Sequence, residues 1–354
     1  MIPVGILGAT GMVGQRFVQL LENHPWFEVK HVIASPASAG KSYKDAVAGR
    51  WHMPKDMPED VKDLIVRPVD DVKGAGKNCR FVFSALDSDI AKDWEEKYAE
   101  AGIPVVSNSS AHRHTDDVPM LIPEINHNHT DMIPIQKKNR GWQGFIVVKP
   151  NCSLQSYMTP LFALHRKFQL KKAVITTMQS VSGAGHPGVS SFDIIDNIIP
   201  YISGEELKSE VEPKKILGRI EGSKFVHDNS FEISAHCNRV GTVDGHMACV
   251  SVEFETRPER EEILKIWKEF RSLPQQLKLP SAPEQPIIYR EEENRPQTRL
   301  DRDAGKGMAV TVGRLRECNV LQWRFAGLSH NTIRGAAGGG ILNAELLKAK
   351  GYLN

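Results

Sequence analysis

The glycine-rich segment Gly8-Ala9-Thr10-Gly11-Met12-Val13-Gly14 constrains the fold of this chain more than any other feature of its sequence. It follows residues 2–8, which read as a short buried strand, and it precedes residues 15–22, whose apolar side chains recur at helical spacing. A glycine turn between a strand and a helix lets backbone N–H groups approach a pyrophosphate at the positive end of the helix dipole. The spacing Gly-x-x-Gly-x-x-Gly is a weak signal by itself, so its place between strand and helix carries the prediction of a nucleotide site. The expected contacts are Gly8, Thr10, Gly11, Met12 and Val13.

Strands and helices continue to alternate through residue 108. Residues 27–34, 79–86 and 103–108 have strand patterns, and residues 90–101 have a helical one. This alternation predicts a parallel, doubly wound sheet, in which ligands collect at the carboxyl ends of the strands. Ser84 and its neighbour Ala85, together with residues 108–110, are therefore expected to border the site. Residues 42–78 show no pattern that assigns them a role.

The loop after the second strand bears on the choice of nucleotide. In NAD-binding proteins an acidic residue at this place takes the ribose 2′-hydroxyl. Here the loop reads Ser35-Pro36-Ala37-Ser38-Ala39-Gly40-Lys41 and contains no carboxylate. Hydroxyls and a lysine suit a 2′-phosphate, so Ser35, Ser38 and Lys41 favour NADP over NAD. An ordinary polar loop is the alternative.

The pattern changes in the second half of the chain. Residues 172–182, 231–240 and 246–256 are long, alternating and rich in β-branched residues, which predicts a mostly antiparallel sheet in a second domain of the α+β class. A glycine-rich segment at 330–340 leads into an amphipathic helix at 341–350 that is expected to return to the first domain. We therefore predict a Rossmann-type domain from residues 1–150 and 330–354, and a second domain, inserted into the first, from residues 151–329. A broad sheet face commonly packs on a second subunit, so a homodimer or tetramer is expected.

Composition excludes several classes of protein. The chain has 354 residues, which is more than one core normally serves. Its 45 basic and 43 acidic residues are nearly balanced, which argues against nucleic acid or an anionic membrane as partner. Five scattered cysteines without a Cys-x-x-Cys pair suit free thiols in the cytoplasm better than disulfides or zinc. The pairs His112/His114 and His127/His129 are the alternative metal ligands, but they lie in a polar loop, and no metal is predicted.

Cys152 is the candidate nucleophile. It lies between the apolar run 145–148, which reads as a buried strand, and residues 153–168, which have helical periodicity. A thiol at a helix N-terminus is expected to have a pKa below the ordinary value of about 8.5. The alternative is a small buried apolar side chain.

Arg239 and His246 lie seven residues apart in the sequence. They flank residues 241–245, whose Asp-Gly pair signals a turn that lets both face one cavity. A surface ion pair and a buried strand histidine are the alternatives.

Several motifs together carry a family resemblance. They are Gly8–Gly14, Pro150-Asn151-Cys152-Ser153, Ser182-Gly183-Ala184-Gly185, Arg239-Val240 with His246, and Asn331-Thr332-Ile333-Arg334-Gly335-Ala336-Ala337-Gly338. In this order they resemble the aspartate-semialdehyde dehydrogenase family over essentially the whole chain. The resemblance implies an NADP-binding Rossmann domain completed by the C-terminal helix, with a catalytic and dimerisation domain between. It also implies reductive dephosphorylation of aspartyl phosphate through a cysteine thioester, in amino-acid biosynthesis.

The resemblance further implies a role for each matching residue. Cys152 becomes the nucleophile and His246 the acid and base, with a pKa near the ordinary 6.5. Arg239 holds the substrate carboxylate and Glu205 its amino group, while Lys208 and Arg113 bind phosphate. The Asn151 side chain and the Cys152 N–H are candidate oxyanion donors. The remaining implied contacts are Gln155 for substrate orientation and Ser182, Gly183 and Asn331 for the cofactor.

The sequence departs from the family pattern at two positions, and three other functions are alternatives. Gln155 stands three residues after the cysteine, where many members have a glutamine at four, and Ala37 stands where several have an arginine near the cofactor phosphate. Glu205 and Lys208 lie in a charged stretch that is also typical of a solvated helix face. The alternative functions are N-acetyl-γ-glutamyl-phosphate reductase, malonyl-CoA reductase and a non-catalytic nucleotide-binding scaffold.

Overall fold

The first sheet has six parallel strands. The computed structural model describes residues 1–353, and the strand order is β3-β2-β1-β4-β5-β6. The strands are β1 (Ile2–Leu7), β2 (Phe27–Ala34), β3 (Arg67–Pro68), β4 (Phe81–Ser84), β5 (Val105–Ser107) and β6 (Ile146–Val148). β4, β5 and β6 are buried throughout because helices cover both faces of the sheet. The predicted parallel, doubly wound sheet is confirmed.

Seven helices belong to this part of the chain. They are α1 (Met12–Leu20), α2 (Tyr43–Ala46), α3 (Glu59–Lys62), α4 (Val72–Asn78), α5 (Ser88–Glu100), α6 (Pro123–Asn126) and α7 (Met132–Arg140), with a 3-10 turn at His127–Asp131. Residues 42–78, which the sequence left unassigned, thus supply three short helices and the edge strand β3. α1 begins three residues earlier than expected, directly after the glycine turn, which brings the turn and the helix N-terminus together.

The second sheet is mixed, with the strand order β10-β7-β11-β14-β13-β12. Its strands are β7 (Leu170–Gln179), β10 (Glu232–Arg239), β11 (His246–Phe254), β12 (Ile287–Arg290), β13 (Val310–Glu317) and β14 (Trp323–Ser329), and a small hairpin is formed by β8 (Arg219–Glu221) and β9 (Lys224–Val226). Pairs β7/β11, β11/β14 and β13/β14 are antiparallel, whereas β7/β10 and β12/β13 are parallel. The sheet is therefore mostly antiparallel, as predicted.

Helices cover one face of the second sheet. The helices that contact the sheet are α8 (Met158–Phe168), α10 (Glu205–Ile216) and α11 (Arg260–Glu269). The short helices α9 (Ser191–Ile194), α12 (Leu273–Gln276) and α13 (Thr298–Asp301) belong to the same half of the chain. Leu161 of α8 and Trp267 of α11 share a buried cluster with Val250 and Phe325 of the sheet. Burial of each such side chain contributes about 1.5–3 kcal/mol, so this layer holds the sheet in place.

The C-terminal helix α14 (Gly338–Ala349) packs on the first sheet. Its Ile341 and Leu346 lie in one buried cluster with Val4 of β1 and Phe17 of α1. The exact domain boundaries at residues 150 and 330 stay a prediction. No helix within residues 1–353 is both long and apolar enough to cross a membrane.

The connection between Arg239 and His246 differs from the predicted turn. β10 and β11 do not pair with each other, because β7 lies between them and pairs with both. Residues 240–245 instead cross over the end of β7, where Arg239 is in register with Gln179. The two side chains meet because they stand at the same end of two strands that flank β7.

Candidate active site

A cleft of about 350 Å³ lies at the carboxyl ends of the first sheet. It is walled by residues that follow β4, β5 and β6, by the start of α1, and by segments from the second half of the chain. Residues lining it are Met12, Val13, Arg16, Met53, Leu86, Asp87, Ser88, Asn108, Ser109, Ser110, Arg113, Asn151, Cys152, Ser182, Gly183, Gly185, Lys208, Asn331, Thr332, Gly335 and Ala336. Ligands of open α/β sheets bind at this edge, so the cleft is the candidate active site.

Cys152 lies in the cleft, but not at the start of a long helix. A 3-10 turn at Ser153–Ser156 follows it, and α8 begins only at Met158. Desolvation by the surrounding protein, followed by the nearby Glu205 carboxylate, raises the pKa of the Cys152 thiol, although Lys149 and other cations oppose this. The predicted depression of the pKa is therefore wrong for the unliganded protein, since a four-residue turn has too weak a dipole to offset the desolvation.

His246 is the nearest titratable partner of the thiol. Its Nε2 is 3.3 Å from the Cys152 Sγ, and its Nδ1 is 3.1 Å from both the backbone N and the Oγ of Ser180. The Ser180 backbone N–H can only donate, so Nδ1 accepts and Nε2 carries the ring hydrogen toward sulfur. Burial, and then Arg239, lowers the pKa of His246 to about 3, so the expected value near 6.5 is wrong. The resting pair is a neutral thiol beside a neutral imidazole.

Arg239 and Gly183 form the wall beside His246. The Arg239 Nη1 donates to the Ser180 carbonyl over 2.8 Å, which ties the guanidinium to the residue that orients the imidazole. A Cβ on Gly183 would lie 2.8 Å from that Nη1 and 2.9 Å from the His246 Cε1. A side chain at position 183 would therefore require the Arg239 guanidinium or the His246 ring to shift.

α10 contributes two of the predicted substrate contacts. The Glu205 carboxylate accepts from the Lys208 Nζ over 2.9 Å, from the Asn151 Nδ2 over 2.7 Å and from the Gln179 Nε2 over 3.1 Å. Lys208 lines the cleft. A solvated helix face is excluded for Glu205, which is 7% exposed.

Asn151 is held by hydrogen bonds on both sides of its amide. Besides the bond to Glu205, its Oδ1 accepts from the Ser153 N and Oγ, each over 2.8 Å. One of its two N–H donors is thus occupied, and an oxyanion role stays a prediction for the other.

Arg113 and Gln155 are placed differently. Arg113 lines the cleft, whereas Gln155 lies in a separate small cavity with Glu124, Lys149 and Arg334. The structure therefore does not bring Gln155 to the thiol, so its predicted contact with substrate is not supported by the geometry. The chain places it three residues beyond Cys152 in the tight 3-10 turn, where it is 3% exposed and faces the interior.

The glycine turn has the shape that a bound pyrophosphate needs. Gly8 has a φ of +76°, and a Cβ there would lie 2.6 Å from the Ala85 carbonyl oxygen. Gly11 has only the Gly8 carbonyl oxygen, at 3.5 Å, near the place of its missing Cβ, so its surface stays open. Thr10 lies between them in the turn, and Met12 and Val13 line the cleft.

The loop predicted to bind the 2′-phosphate lies beside this turn. β1 and β2 are neighbours, and the Ala9 N–H donates to the Ile33 carbonyl over 2.9 Å. Ser35 and the lysine at 41 are exposed, while Ser38 is buried. None of these three residues lines the 350 Å³ cleft, so their contact with a cofactor stays a prediction.

The other predicted cofactor contacts divide into two groups. Ser182, Gly183 and Asn331 line the cleft, and the Asn331 Nδ2 donates to the Ser182 Oγ over 2.8 Å. Ser84 is fully buried inside the sheet and does not reach the cleft, because strand alternation turns its side chain into the interior. The wall after β4 is made instead by Leu86, Asp87 and Ser88.

Sequence reasoning missed several residues. Lys149 is buried, and desolvation lowers its pKa to about 7, while its Nζ donates to the Pro150 carbonyl over 2.7 Å. Gly335 touches the nucleophile, since a Cβ on it would lie 2.9 Å from the Cys152 Cβ. The glycine-rich segment at 330–340 was the available signal for Gly335. Across residues 1–353 no group of three or more His, Cys, Asp or Glu side chains is arranged to hold a metal.

Comparisons with known proteins agree with this geometry. Residues 3–133 match the family model described as "Semialdehyde dehydrogenase, NAD binding domain", and residues 161–334 match "Semialdehyde dehydrogenase, dimerisation domain". The chain is 47% identical to the aspartate-semialdehyde dehydrogenase of Methanothermobacter thermautotrophicus, covering 98% of this chain and 99% of that protein. It is 40% identical to the malonyl CoA reductase (NADP) of Metallosphaera sedula, covering 100% of this chain and 98% of that protein.

A solved structure supports the same relationship. The crystal structure of aspartate semialdehyde dehydrogenase with NADP from Candida albicans matches with a TM-score of 0.91 and 43% identity, covering 99% of each chain. Both halves of the fold are therefore shared along the full length of the two chains. The chain belongs to the semialdehyde dehydrogenase family.

Proposed function

We propose that this chain catalyses the NADP-dependent reductive dephosphorylation of L-aspartyl 4-phosphate to L-aspartate 4-semialdehyde, a step of amino-acid biosynthesis. The observation that carries the proposal is the 3.3 Å contact between the Cys152 Sγ and the His246 Nε2 beside the cleft. A thiol paired with an imidazole can provide the nucleophile for acyl transfer. Full-length similarity to proteins named aspartate-semialdehyde dehydrogenase supports this choice of substrate.

The charged groups near the thiol complement an amino-acid acyl phosphate. Arg239 binds the α-carboxylate and Glu205 the α-ammonium, because each carries the opposite charge and both side chains are 7% exposed. Arg113 and Lys208 bind the phosphate from the cleft wall. Hydrogen bonds between charged partners in such a desolvated place are stronger than neutral ones, which favours a substrate that carries all three charges.

The proposed acyl transfer uses Cys152, His246 and Ser180. The sulfur attacks the acyl carbon, the bond from that carbon to the phosphate oxygen breaks, and a thioester remains on Cys152. The thiol proton moves to the His246 Nε2 after the imidazole adopts its other tautomer. In that tautomer the Nδ1–H donates to the Ser180 Oγ, and the Ser180 backbone N–H gives up its bond to Nδ1. The imidazolium then gives a proton to the departing phosphate, and the ring returns to its neutral state. After reduction of the thioester, the tetrahedral adduct collapses to the aldehyde and releases the thiolate.

The residues present fit NADP. Gly8 and Gly11 leave room for a pyrophosphate at the start of α1, and Met12 and Val13 connect that turn to the cleft of Cys152. The loop that contains Ser38 and Lys41 provides hydroxyls and a cation for the 2′-phosphate. When bound, NADPH supplies the hydride that reduces the thioester.

A homodimer or a tetramer built from such dimers is the proposed assembly. The face of the second sheet opposite α8 and α11 bears Val174, which is 46% exposed, and the exposed Cys249. A broad sheet face without a helix layer suits a second copy of the chain. Light scattering of Val174→Asp and of the unaltered protein tests this: an unchanged mass would exclude the face. Five free thiols support a reducing location such as the cytoplasm.

The enzymatic proposal is tested with purified protein, NADP and inorganic phosphate. We expect NADPH to form from L-aspartate 4-semialdehyde only when phosphate is present, and Cys152→Ser to abolish this reaction. Each alternative has its own assay, namely oxidation of N-acetyl-glutamate semialdehyde with NADP and phosphate for one reductase and reduction of malonyl-CoA with NADPH for the other. Turnover of either one without turnover of L-aspartate 4-semialdehyde would overturn the proposal. Absence of turnover with all three substrates would favour a scaffold.

A further inference from the structure

One face of α10 carries four charged residues at successive turns of the helix. Glu205, Lys208, Glu212 and Lys215 follow at intervals of three or four residues, which places them along one side of the helix. The first two contact the cleft or the Asn151 amide. The other two are buried, with 1% exposure each, and neither lines the cleft. Their buried charges require partners, because an unpaired charge in the interior is costly.

Glu212 joins two parts of the site that are far apart in the sequence. Its Oε1 accepts from the Arg113 Nη1 over 3.0 Å, and its Oε2 accepts from the Asn151 backbone N–H over 2.7 Å. Asn151 immediately precedes the nucleophile. One carboxylate therefore fixes both the guanidinium and the backbone that carries Cys152.

Arg113 has the geometry of an oriented anion receptor. Its Nε donates to the Lys149 carbonyl, its Nη1 to Glu212 and its Nη2 to the Asn108 carbonyl. Three of its five N–H donors are thus used, and two have no partner within residues 1–353. The side chain lines the cleft. Lys215 secures the same segment, since its Nζ donates to the Arg113 carbonyl over 2.8 Å.

We infer that Glu212 is a positioning residue for phosphate, an inference that rests on the proposed function. It does not contact substrate. It holds the Arg113 guanidinium in one orientation relative to the Cys152 backbone. A phosphate bound by the two free N–H groups of Arg113 then lies at a fixed distance from the Cys152 Sγ. A carboxylate beside a phosphate site weakens the attraction by charge, so its benefit must come from orientation.

Glu212→Gln separates orientation from shape. The amide keeps the size of the side chain and an acceptor for one N–H group, but it loses the charge that pairs with Arg113. In the oxidative direction we expect the KM for inorganic phosphate to rise about tenfold, as for the loss of one charged hydrogen bond, with the KM for aspartate semialdehyde within about twofold. Glu210→Gln is the matched control, because Glu210 lies on the same helix and accepts only from the Ala235 backbone N–H. An unchanged phosphate KM, or equal rises in both KM values, would overturn the inference.

Two further variants cover the case in which Glu212→Gln does not fold. Glu212→Asp keeps the charge but is one methylene too short to reach both groups, and we expect a smaller rise in the same direction. In an Arg113→Met background, Glu212→Gln is expected to change the phosphate KM no further, because both act through one guanidinium. A full additional tenfold rise in that background would refute action through Arg113.

A binding measurement distinguishes this inference from the proposed function. Inorganic phosphate bound at Arg113 is expected to slow alkylation of Cys152 by iodoacetamide, without any turnover. The half-protecting phosphate concentration should be about tenfold higher in Glu212→Gln than in the unaltered protein or in Glu210→Gln. Lack of turnover with this shift would reject only the function, whereas equal half-protecting concentrations, or no protection, would reject the inference.

Discussion

Gly335→Ala is the sharpest available test of how the nucleophile is held. A Cβ at position 335 would lie 2.9 Å from the Cys152 Cβ. Carbon atoms in contact are separated by about 3.5–4.0 Å, so the two chains must move apart by about 0.6–1.1 Å. The Gly335 N–H donates to the His330 carbonyl over 2.9 Å, which resists movement on that side. Much of the displacement therefore falls on Cys152.

The expected loss follows from that displacement. The Cys152 Sγ and the His246 Nε2 are 3.3 Å apart, and a further shift of half an ångström or more takes the pair out of good contact. A misplacement of about 1 Å in a reacting group can cost about a hundredfold in rate. We therefore expect kcat/KM for the phosphate-dependent oxidation of aspartate semialdehyde to fall about 10- to 100-fold, with the rate of Cys152 alkylation also changed.

Gly76→Ala is the matched control. Gly76 lies in α4, and its nearest contact for a new Cβ is the Ile103 Cδ1 at an ordinary 3.5 Å. Alanine also favours a helix over glycine by about 1 kcal/mol, so this variant should keep its activity and melt no earlier. If Gly335→Ala is folded by circular dichroism and keeps its kcat/KM within twofold, the packing argument is refuted.

Four other perturbations test separate parts of the structure. Cys152→Ser should lower turnover by about a thousandfold or more, because a hydroxyl is a far weaker nucleophile, and near-normal activity would exclude the thioester route. Ser180→Ala should lower kcat about tenfold with unchanged KM values, because the imidazole loses the acceptor for its second tautomer, and an unchanged kcat would contradict that proton path. Gly8→Ala forces a side chain to a φ of +76° and against the Ala85 carbonyl, so NADP binding measured by titration should weaken or the protein should melt earlier. Unchanged NADP binding together with an unchanged melting temperature would refute the tight-turn argument. Burial lowers the folded pKa values of His129 and His246 to about 4 and about 3, so between pH 7 and pH 5 the unfolded chain takes up their protons and the folded chain does not. The free energy of unfolding, measured by urea titration, should therefore fall from pH 7 to pH 5 by about 2 kcal/mol for each histidine, and a flat profile would contradict this burial.

The resting state of the site has a chemical consequence. The thiol pKa is raised and the imidazole pKa is lowered, so the unliganded pair holds its proton on sulfur. A neutral thiol reacts slowly with oxidants and alkylating agents, because the thiolate is the nucleophile. We therefore expect Cys152 to react slowly with iodoacetamide, and to become a nucleophile only as its proton moves to the His246 Nε2 during the attack on the acyl carbon.

Local patterns in the sequence identified most elements of the first sheet. β2 spans the predicted residues 27–34, because its run of apolar side chains is bounded by turn residues on both sides. The prediction of one continuous helix after Cys152 was wrong, because helical periodicity does not distinguish a 3-10 turn followed by an α-helix from a single α-helix. β12, β13 and β14 were not predicted, since their partners come from distant segments and their own patterns are weak.

By itself, the sequence determined the glycine turn, the candidate nucleophile and the type of fold, because these depend on residue identity and on spacing along the chain. Only the tertiary structure decided how the side chains meet and how they ionise. Arg239 and His246 come together because β7 lies between their strands, and Arg113 meets Glu212 across 99 residues of chain. The pKa of Cys152 is raised where a lowered value was predicted, and the pKa of His246 is about 3 rather than near 6.5. Both differences arise because desolvation depends on everything packed around a group, which no local sequence pattern contains.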